Sequence, residues 1–260
     1  MKIRQIIDAL EDFAPLALQD GYDNAGLQIG LPQDVDATGV LLCLDVTEAV
    51  VDEAISRGCN MVVSHHPLLF HPLKSIAGRD YVERVVIKAI KHDITLYAAH
   101  TNLDNAPGGV NHKMAEKLQM GSLEWLEPKA GFEGGSGLVG ELPAEMTSQA
   151  FIRFVKETFR VDSVRYNEWK GRNVRRVAIC GGAGAFLITK AIEKDADAFI
   201  TGEIGYHRFF GHEDELLMME IGHFESEQYT LELFREILSK VVPELPIYNT
   251  QIKTNPICYE

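Results

Sequence analysis

The sequence predicts an α/β protein built from two related α/β lobes, each with a mainly parallel sheet flanked by helices. Continuous apolar strands alternate with amphipathic helices along the chain, which is the pattern of parallel βαβ units whose sheets are covered on both faces. Residues 40–66 and 177–203 also echo each other, since both read as strand, helix and strand ending in a polar cluster. A duplicated βαβ frame would direct the carboxyl ends of two sheets toward one cleft, where α/β proteins bind ligands.

The first half begins with an amphipathic helix over residues 2–13, which carries an apolar face. A loop rich in Gly and Asn follows at residues 20–30. Strands are then predicted at "GVLLCLDV", "NMVVS" and "ITLYAAH", and helices at "TEAVVDEAISRG" and "DYVERVVIKAIKHD". These elements form the first lobe, residues 1–125, which the carboxyl-terminal segment 242–260 is expected to complete with the strand "PIYNTQ".

The second lobe is expected at residues 126–241 and repeats the alternation. Strands are predicted at "GLVGEL", "VDSVRY", "VRRVAIC", "ADAFIT" and "LLMMEIG", and helices at "TSQAFIRFVKETF", "AGAFLITKAIEKD" and "SEQYTLELFREILSKVV". The Thr that opens the first of these helices is a favoured cap. Residues 121–137 end in "PKAGFEGGSG" and are predicted to be the main connection between the lobes.

The composition narrows the class of protein. A formal net charge of −13 over 260 residues argues against a general nucleic-acid surface, which needs clustered Lys and Arg. The four cysteines are scattered without a disulfide framework, as expected in a reducing compartment. The first residues form a helix pattern broken by acids rather than a signal peptide, and no window is apolar enough for a membrane span. We therefore predict a cytoplasmic protein with no membrane partner.

Polar side chains with metal-ligand chemistry follow several predicted strands. His65 and His66 come directly after "NMVVS", and "ITLYAA" runs into His100 and Asp104. In the second half, His223 and Glu227 are four residues apart and share a helical face if the helix has begun there. Each feature has an ordinary alternative, because a His–His pair at a strand end is commonly hydrogen-bonded and a His–Glu pair is commonly a surface contact.

Together these residues supply three imidazoles and two carboxylates, namely His65, His66, His223, Asp104 and Glu227. Nitrogen and oxygen ligands without thiolates suit Zn²⁺, Mn²⁺ or Fe²⁺. Five ligands exceed the needs of one open catalytic ion. Two ions that share one bridging carboxylate would each have three protein ligands and room for water, which is the arrangement used for two-metal hydrolysis.

Six motifs occur in an order that resembles a known family: "DNAGLQIG", "LCLDVTEAVVDEA", "VVSHHPLLF", "YAAHTNLDNAPGGVN", "TGEIGYH" and "GHFESE". Together they resemble the GTP cyclohydrolase I type 2 homologues, also called the Ngg-interacting-factor-three-like family, over nearly the whole chain. Tyr22 stands where that family commonly has Trp. Residues 121–137 leave no room for the domain that longer members insert in mid-chain, so the sequence resembles the short form.

The resemblance implies two related lobes, a dinuclear metal centre in the cleft between them, and assembly into a toroidal homohexamer. It assigns His66 and Asp104 to one divalent ion and His65 and His223 to the other, with Glu227 as the bridge. The implied function is that of a metal-dependent hydrolase for a small anionic or heterocyclic, nucleotide-like substrate. His100 is the candidate for positioning water or moving a proton. Glu203 and His207 are further catalytic candidates that would support the ligands, and the alternative is that they are ordinary polar loop residues. The alternative function is a non-enzymatic metal-binding or adaptor protein that forms a ring-shaped oligomer.

Overall fold

The computed structural model describes residues 1–260, which divide into two compact units. The first unit comprises Met1–Leu103 and Thr230–Pro256, and the second comprises Asp104–Tyr229 and Ile257–Glu260. The helices are α1 (Ile3–Phe13), α2 (Glu48–Ser56), α3 (Tyr81–Lys91), α4 (Thr101–Asp104), α5 (Val110–Lys117), α6 (Ser148–Phe159), α7 (Ile188–Glu193), α8 (His223–Glu227) and α9 (Thr230–Val241). All of them are too short or too polar to cross a lipid bilayer.

The eleven strands form two sheets, one in each unit. They are β1 (Gly26–Ile29), β2 (Val40–Cys43), β3 (Met61–Ser64), β4 (Thr95–Ala98), β5 (Gly121–Pro128), β6 (Gly135–Met146), β7 (Arg165–Tyr166), β8 (Val174–Cys180), β9 (Ala198–Thr201), β10 (Leu217–Glu220) and β11 (Ile247–Asn249).

The sheet of the first unit has the order β1-β4-β3-β2-β11. Every neighbouring pair is parallel except β1 with β4. All residues of β2, β3 and β4 are buried, as expected for parallel strands covered on both faces. The strand predicted in "PIYNTQ" is β11, which pairs with β2 and closes this sheet.

The sheet of the second unit has the order β5-β6-β8-β9-β10-β7 and is mixed. The strands β8, β9 and β10 are parallel, whereas β5, β6 and β7 join antiparallel. Apolar side chains from α6 and from these strands form one core cluster that includes Phe151, Phe159, Val177 and Ile200. The predicted fold class, two α/β units with sheets flanked by helices, is therefore confirmed. The second sheet is not mainly parallel as predicted, because β5, β6 and β7 join by three antiparallel pairings, against two parallel ones.

Residues 40–66 and 177–203, which are similar in sequence, also have the same strand pairing. In the first unit Cys43 of β2 pairs with Ser64 of β3, and in the second Cys180 of β8 pairs with Thr201 of β9. Each residue of the second pair lies at the position that the sequence alignment predicts. The third parallel strand of each unit, β4 or β10, carries an antiparallel neighbour on its outer side. The two units thus share a four-strand frame.

Two sequence-based expectations need correction. Residues 121–137 are not a loose connection, because β5 and the start of β6 form an antiparallel hairpin in which Trp125 pairs with Leu138. The lobe boundaries also differ from 1–125 with 242–260 and 126–241. Helix α5 packs on β6 and β8 of the second unit, and α9 packs on α1 and β2 of the first.

Candidate metal centre

Three imidazoles cluster at the carboxyl ends of β3 and β4 in the first unit. His65 and His66 follow β3 directly, and His100 lies two residues beyond β4. The ring of His100 is 5.3 Å from that of His65 and 5.5 Å from that of His66, centroid to centroid. One ring nitrogen from each of the three lies within 4.8 Å of the others, so the group could hold a metal ion.

Each of these imidazoles is held at Nδ1 by an oxygen acceptor. The acceptor is the carbonyl oxygen of Ala99 for His65, at 2.8 Å, and a carboxylate oxygen of Asp45 for His66, at 2.8 Å. His100 Nδ1 lies 2.7 Å from a carboxylate oxygen of Asp23. An Nδ1 proton donated to such an acceptor leaves the lone pair on Nε2, which is the usual arrangement of metal-binding histidines.

Asp23 is a fully buried carboxylate that fixes the turn after β4. One oxygen faces His100, and the other accepts the backbone N–H and the hydroxyl of Thr101. Burial raises the pKa of Asp23, but the hydrogen bond and charge of His100 and the hydrogen bond from Thr101 outweigh it and lower that pKa to about 2. The carboxylate is therefore ionised at neutral pH and is a strong acceptor for the Nδ1 proton of His100.

The turn that carries His100 is locked by a buried amide. Asn102 accepts the backbone N–H of His100 through Oδ1 and donates through Nδ2 to the carbonyl oxygen of Ala14, at 2.9 and 2.7 Å. Because both ends of the amide are bonded, the turn is tied to the end of α1.

In the second unit, His223 and Glu227 lie at the two ends of α8. The four-residue spacing predicts one helical face, and His223 Nε2 is indeed 3.4 Å from a carboxylate oxygen of Glu227. His223 Nδ1 lies 2.7 Å from Glu203, the residue that follows β9 and Gly202. Glu227 is buried, with 3% of its side chain exposed. The pair offers one nitrogen and one carboxylate oxygen, which could bind a metal ion.

Glycines make room for this pair. A Cβ on Gly182, which has φ of +60°, would collide with the Glu227 carboxylate. A Cβ on Gly202 would lie 2.8 Å from the Cα of His223. The stretch "GGAGAFL" therefore serves packing. The backbone N–H groups of Gly181, Gly182 and Gly184 in this stretch donate to side-chain oxygens of Asn111, Ser226 and Thr201.

The remaining sequence-predicted residues lie in the second unit. Asp104 ends α4, and its main-chain carbonyl accepts a hydrogen bond from Asn111. His207 lies on an exposed turn, where its ring is 5.2 Å from that of Tyr206 and stacks on Phe210. His207 thus contacts aromatic rings, whereas Glu203 contacts the candidate ligand His223.

Sequence reasoning missed the acceptors that orient the histidines. Asp23 lies in "DGYDNAGLQIG" and Asp45 follows the strand β2, and neither is near its histidine in the sequence. The position of Asp45 could have indicated this contact. Asp45 lies just beyond β2, and β2 pairs with β3, the strand that precedes His66.

This combination of two four-strand α/β frames with histidines and carboxylates at strand ends defines a class of protein with candidate metal sites. A model of the Duf34/NIF3 (NGG1p interacting factor 3) family matches residues 1–256, and the chain belongs to this family. It is 37% identical over 230 residues to a GTP cyclohydrolase 1 type 2 homolog of Clostridium perfringens, with 87% of each chain covered. It is 36% identical over 263 residues to the Lactococcus lactis homolog, with 98% of each covered.

A solved structure has the same fold. The Bacillus cereus protein related to NIF3 superposes with a TM-score of 0.90 at 27% identity, and the alignment covers 100% of this chain and 99% of that one.

Proposed function

We propose that this protein is a dinuclear metal-dependent hydrolase for a small anionic or heterocyclic, nucleotide-like substrate. Two divalent cations, Zn²⁺, Fe²⁺ or Mn²⁺, are held in this proposal by five residues: His65, His66, Asp104, His223 and Glu227. The ligand set contains nitrogen and carboxylate oxygen and no thiolate, which suits these ions.

One observation carries the proposal. All four histidines at the strand ends have Nδ1 at 2.7–2.8 Å from an oxygen acceptor, and for three of them that acceptor is a carboxylate. Metal-binding histidines almost always donate their second ring N–H to a carboxylate or a carbonyl oxygen, which fixes the tautomer and the orientation of the ring. The three proposed histidine ligands are held in this way with the lone pair on Nε2, as a cation requires, and His100 is held in the same way for proton transfer.

When bound, a pair of divalent cations would supply positive charge that attracts an anionic group and lowers the pKa of water, so that water can lose a proton and attack near neutral pH. The side chains that surround the ions do the rest. Glu203 orients His223, and Asp45 orients His66. His100, with Nδ1 on Asp23, presents Nε2 as the group that accepts the proton of the attacking water and returns it to the leaving group.

For a phosphoester the balance is simple. One water oxygen bonds to phosphorus, the bond from phosphorus to the ester oxygen breaks, and the proton taken up by His100 passes to the departing alcohol. No redox partner is needed. Asp23 stabilises the transient positive charge on His100 and fixes its ring, and it stays ionised throughout because its pKa lies near 2.

Metal content and turnover test this function together. The protein would be loaded with Zn²⁺, Fe²⁺ or Mn²⁺ and assayed against nucleotides, phosphoesters and cyclic amides beside Glu227→Gln. Glu225→Gln, on the same helix, is the matched control. We expect about two ions per chain, and we expect at least a hundredfold loss of kcat/KM in Glu227→Gln, with the control unchanged.

Turnover that survives both metal removal and Glu227→Gln would overturn the dinuclear mechanism. Two bound ions per chain without turnover on any of these substrates would instead favour the metal-binding or adaptor function.

The same proposal includes assembly into a homohexamer in the cytoplasm. The family resemblance supports this state, which light scattering of the purified protein would test. A mass of about six chains is expected, and a stable monomer would contradict it.

A further inference from the structure

The first unit carries an apolar groove that the metal ligands do not use. It has a volume of about 1220 Å³ and lies between β1, α3 and the loop that follows His66. Leu31, Ile76 and Ile90 line it and are 86%, 54% and 56% exposed. Exposed aliphatic side chains gathered in one concave patch mark a binding site more often than an ordinary surface.

One end of the groove adjoins the histidine cluster. Asp23, which holds His100, lines this end, as do the rings of Tyr22 and Phe70. The Phe70 ring is 6.1 Å from the His100 ring and 6.3 Å from the Tyr22 ring. A ligand at this end of the groove would therefore lie against Asp23 and Phe70, the two residues that join the groove to His100 within the same unit.

Gly30 keeps the wall of the groove narrow. Its φ is +120°, and a Cβ there would lie 2.6 Å from the hydroxyl of Thr95 on β4. Because Gly30 has no side chain, its backbone can lie directly against β4. Leu31 and Val35, which follow it, line the groove. The groove is a consequence of local backbone geometry as well as of side-chain choice.

We propose that this groove binds the apolar part of the substrate, and that the substrate is an anionic ester with an alkyl or aryl body, such as a phosphomonoester of a long-chain or aromatic alcohol. The inference rests on the proposed function, in which the metal pair holds the anionic head. The aromatic end beside His100 packs on the part of the body nearest the ester, and the aliphatic wall along α3 takes the remainder.

Chain-length dependence tests the groove. Butyl, hexyl and octyl phosphate would be titrated by calorimetry against the metal-loaded protein, with inorganic phosphate as the reference. Since each methylene buried from water gives up to about a fourfold gain in affinity, we expect roughly threefold tighter binding per methylene. An affinity that is the same for all three esters would overturn the proposal.

Paired variants locate the effect. Ile90→Asp in α3 removes an apolar wall residue, whereas Ile55→Asp in α2 makes the same change at a similarly placed exposed residue outside the groove. We expect Ile90→Asp to weaken octyl phosphate at least tenfold and inorganic phosphate not at all, with Ile55→Asp unchanged for both. Equal losses in the two variants would contradict the proposal.

Two measurements separate this inference from the hydrolase itself. Binding of an environment-sensitive apolar dye to chelator-treated protein, displaced by octanol, reports on the groove without metal and should be lost in Ile90→Asp. Octyl phosphate that binds as expected but is not hydrolysed supports the groove and contradicts the hydrolase. Butyl and octyl phosphate that are hydrolysed with equal kcat/KM contradict the groove and support the hydrolase.

A change of oligomeric state in Ile90→Asp by light scattering would assign the groove to a second copy of the chain, and it would overturn the proposal.

Discussion

In the proposed metal centre, the carboxylates that hold the histidines at Nδ1 set how tightly a cation is bound. Asp45 fixes the His66 ring through Nδ1 and increases the basicity of its other nitrogen. Replacing Asp45 with Asn keeps the shape and removes the charge. We expect Asp45→Asn to lower metal affinity about 10- to 100-fold, measured by competition with a chromophoric chelator.

Asp52→Asn is the control for this change, because Asp52 is an exposed carboxylate that pairs with Lys88. It should leave metal affinity unchanged. Equal affinities for Asp45→Asn and the parent protein would show that this carboxylate does not support a metal ligand.

His112 predicts a pH dependence of stability. Its ring is 5.0 Å from that of Trp125, its Nδ1 is buried without a hydrogen bond, and burial lowers its pKa below the usual 6.5. Below pH 6.5 the unfolded chain therefore binds more protons at this residue than the folded protein does, and stability falls as pH is lowered. The slope cannot exceed about 1.4 kcal/mol per pH unit for one group.

Denaturant unfolding between pH 5 and 7.5 checks this sign. His112→Phe should flatten the dependence, whereas His92→Phe, at an exposed helix end, should preserve it. A His112→Phe profile parallel to that of the parent protein would refute the assignment.

The sequence predicts where the candidate histidines lie, but it does not predict which carboxylates accept their Nδ1 protons. Strand ends place His65, His66, His100 and His223 correctly, because alternation and apolar runs reveal where strands stop. Asp23 is 77 residues from the histidine that it orients. No local pattern relates such residues, since the fold alone brings them together.

Among the elements, α6 tests a local rule. The Thr147 hydroxyl oxygen accepts the backbone N–H of Ala150 and caps the helix. We expect Thr147→Ala to lower the free energy of unfolding by about 1 kcal/mol. Chemical denaturation would measure the change, and Ser148→Ala, one residue further on, should cost less. A larger loss in Ser148→Ala would contradict the assignment of the cap.

The hairpin of β5 and β6 shows where local reasoning failed. Glycines in "PKAGFEGGSG" favour a loop, but here they build the turn and its flanks: Gly131 and Gly137 have φ of +81° and +61°. A Cβ on Gly135 would collide with the backbone of Glu127. The glycines that indicated a flexible connection are therefore needed for the turn and for the close pairing of the two strands.

At the scale of the whole molecule, the first unit depends on the end of the chain. Residues of β11 pair with β2, and Thr250 and Gln251 donate hydrogen bonds to Glu53 on α2. We expect deletion of residues 246–260 to expose the edge of β2 and to accelerate amide exchange in β2 by at least tenfold, measured by mass spectrometry.

Deletion of residues 257–260 alone is the matched control, because these residues belong to the second unit. It should leave exchange in β2 unchanged. Full protection of β2 after the longer deletion would show that β11 is dispensable.

The discontinuous first unit also has a consequence for biosynthesis. Helix α9 and β11 leave the ribosome after nearly all of the second unit, although both belong to the unit that contains the amino terminus. The later-encoded unit can therefore complete its sheet first, whereas the edge of β2 in the nascent chain stays uncovered until β11 has been synthesised. Chaperone capture of stalled chains should accordingly concentrate on the first 103 residues.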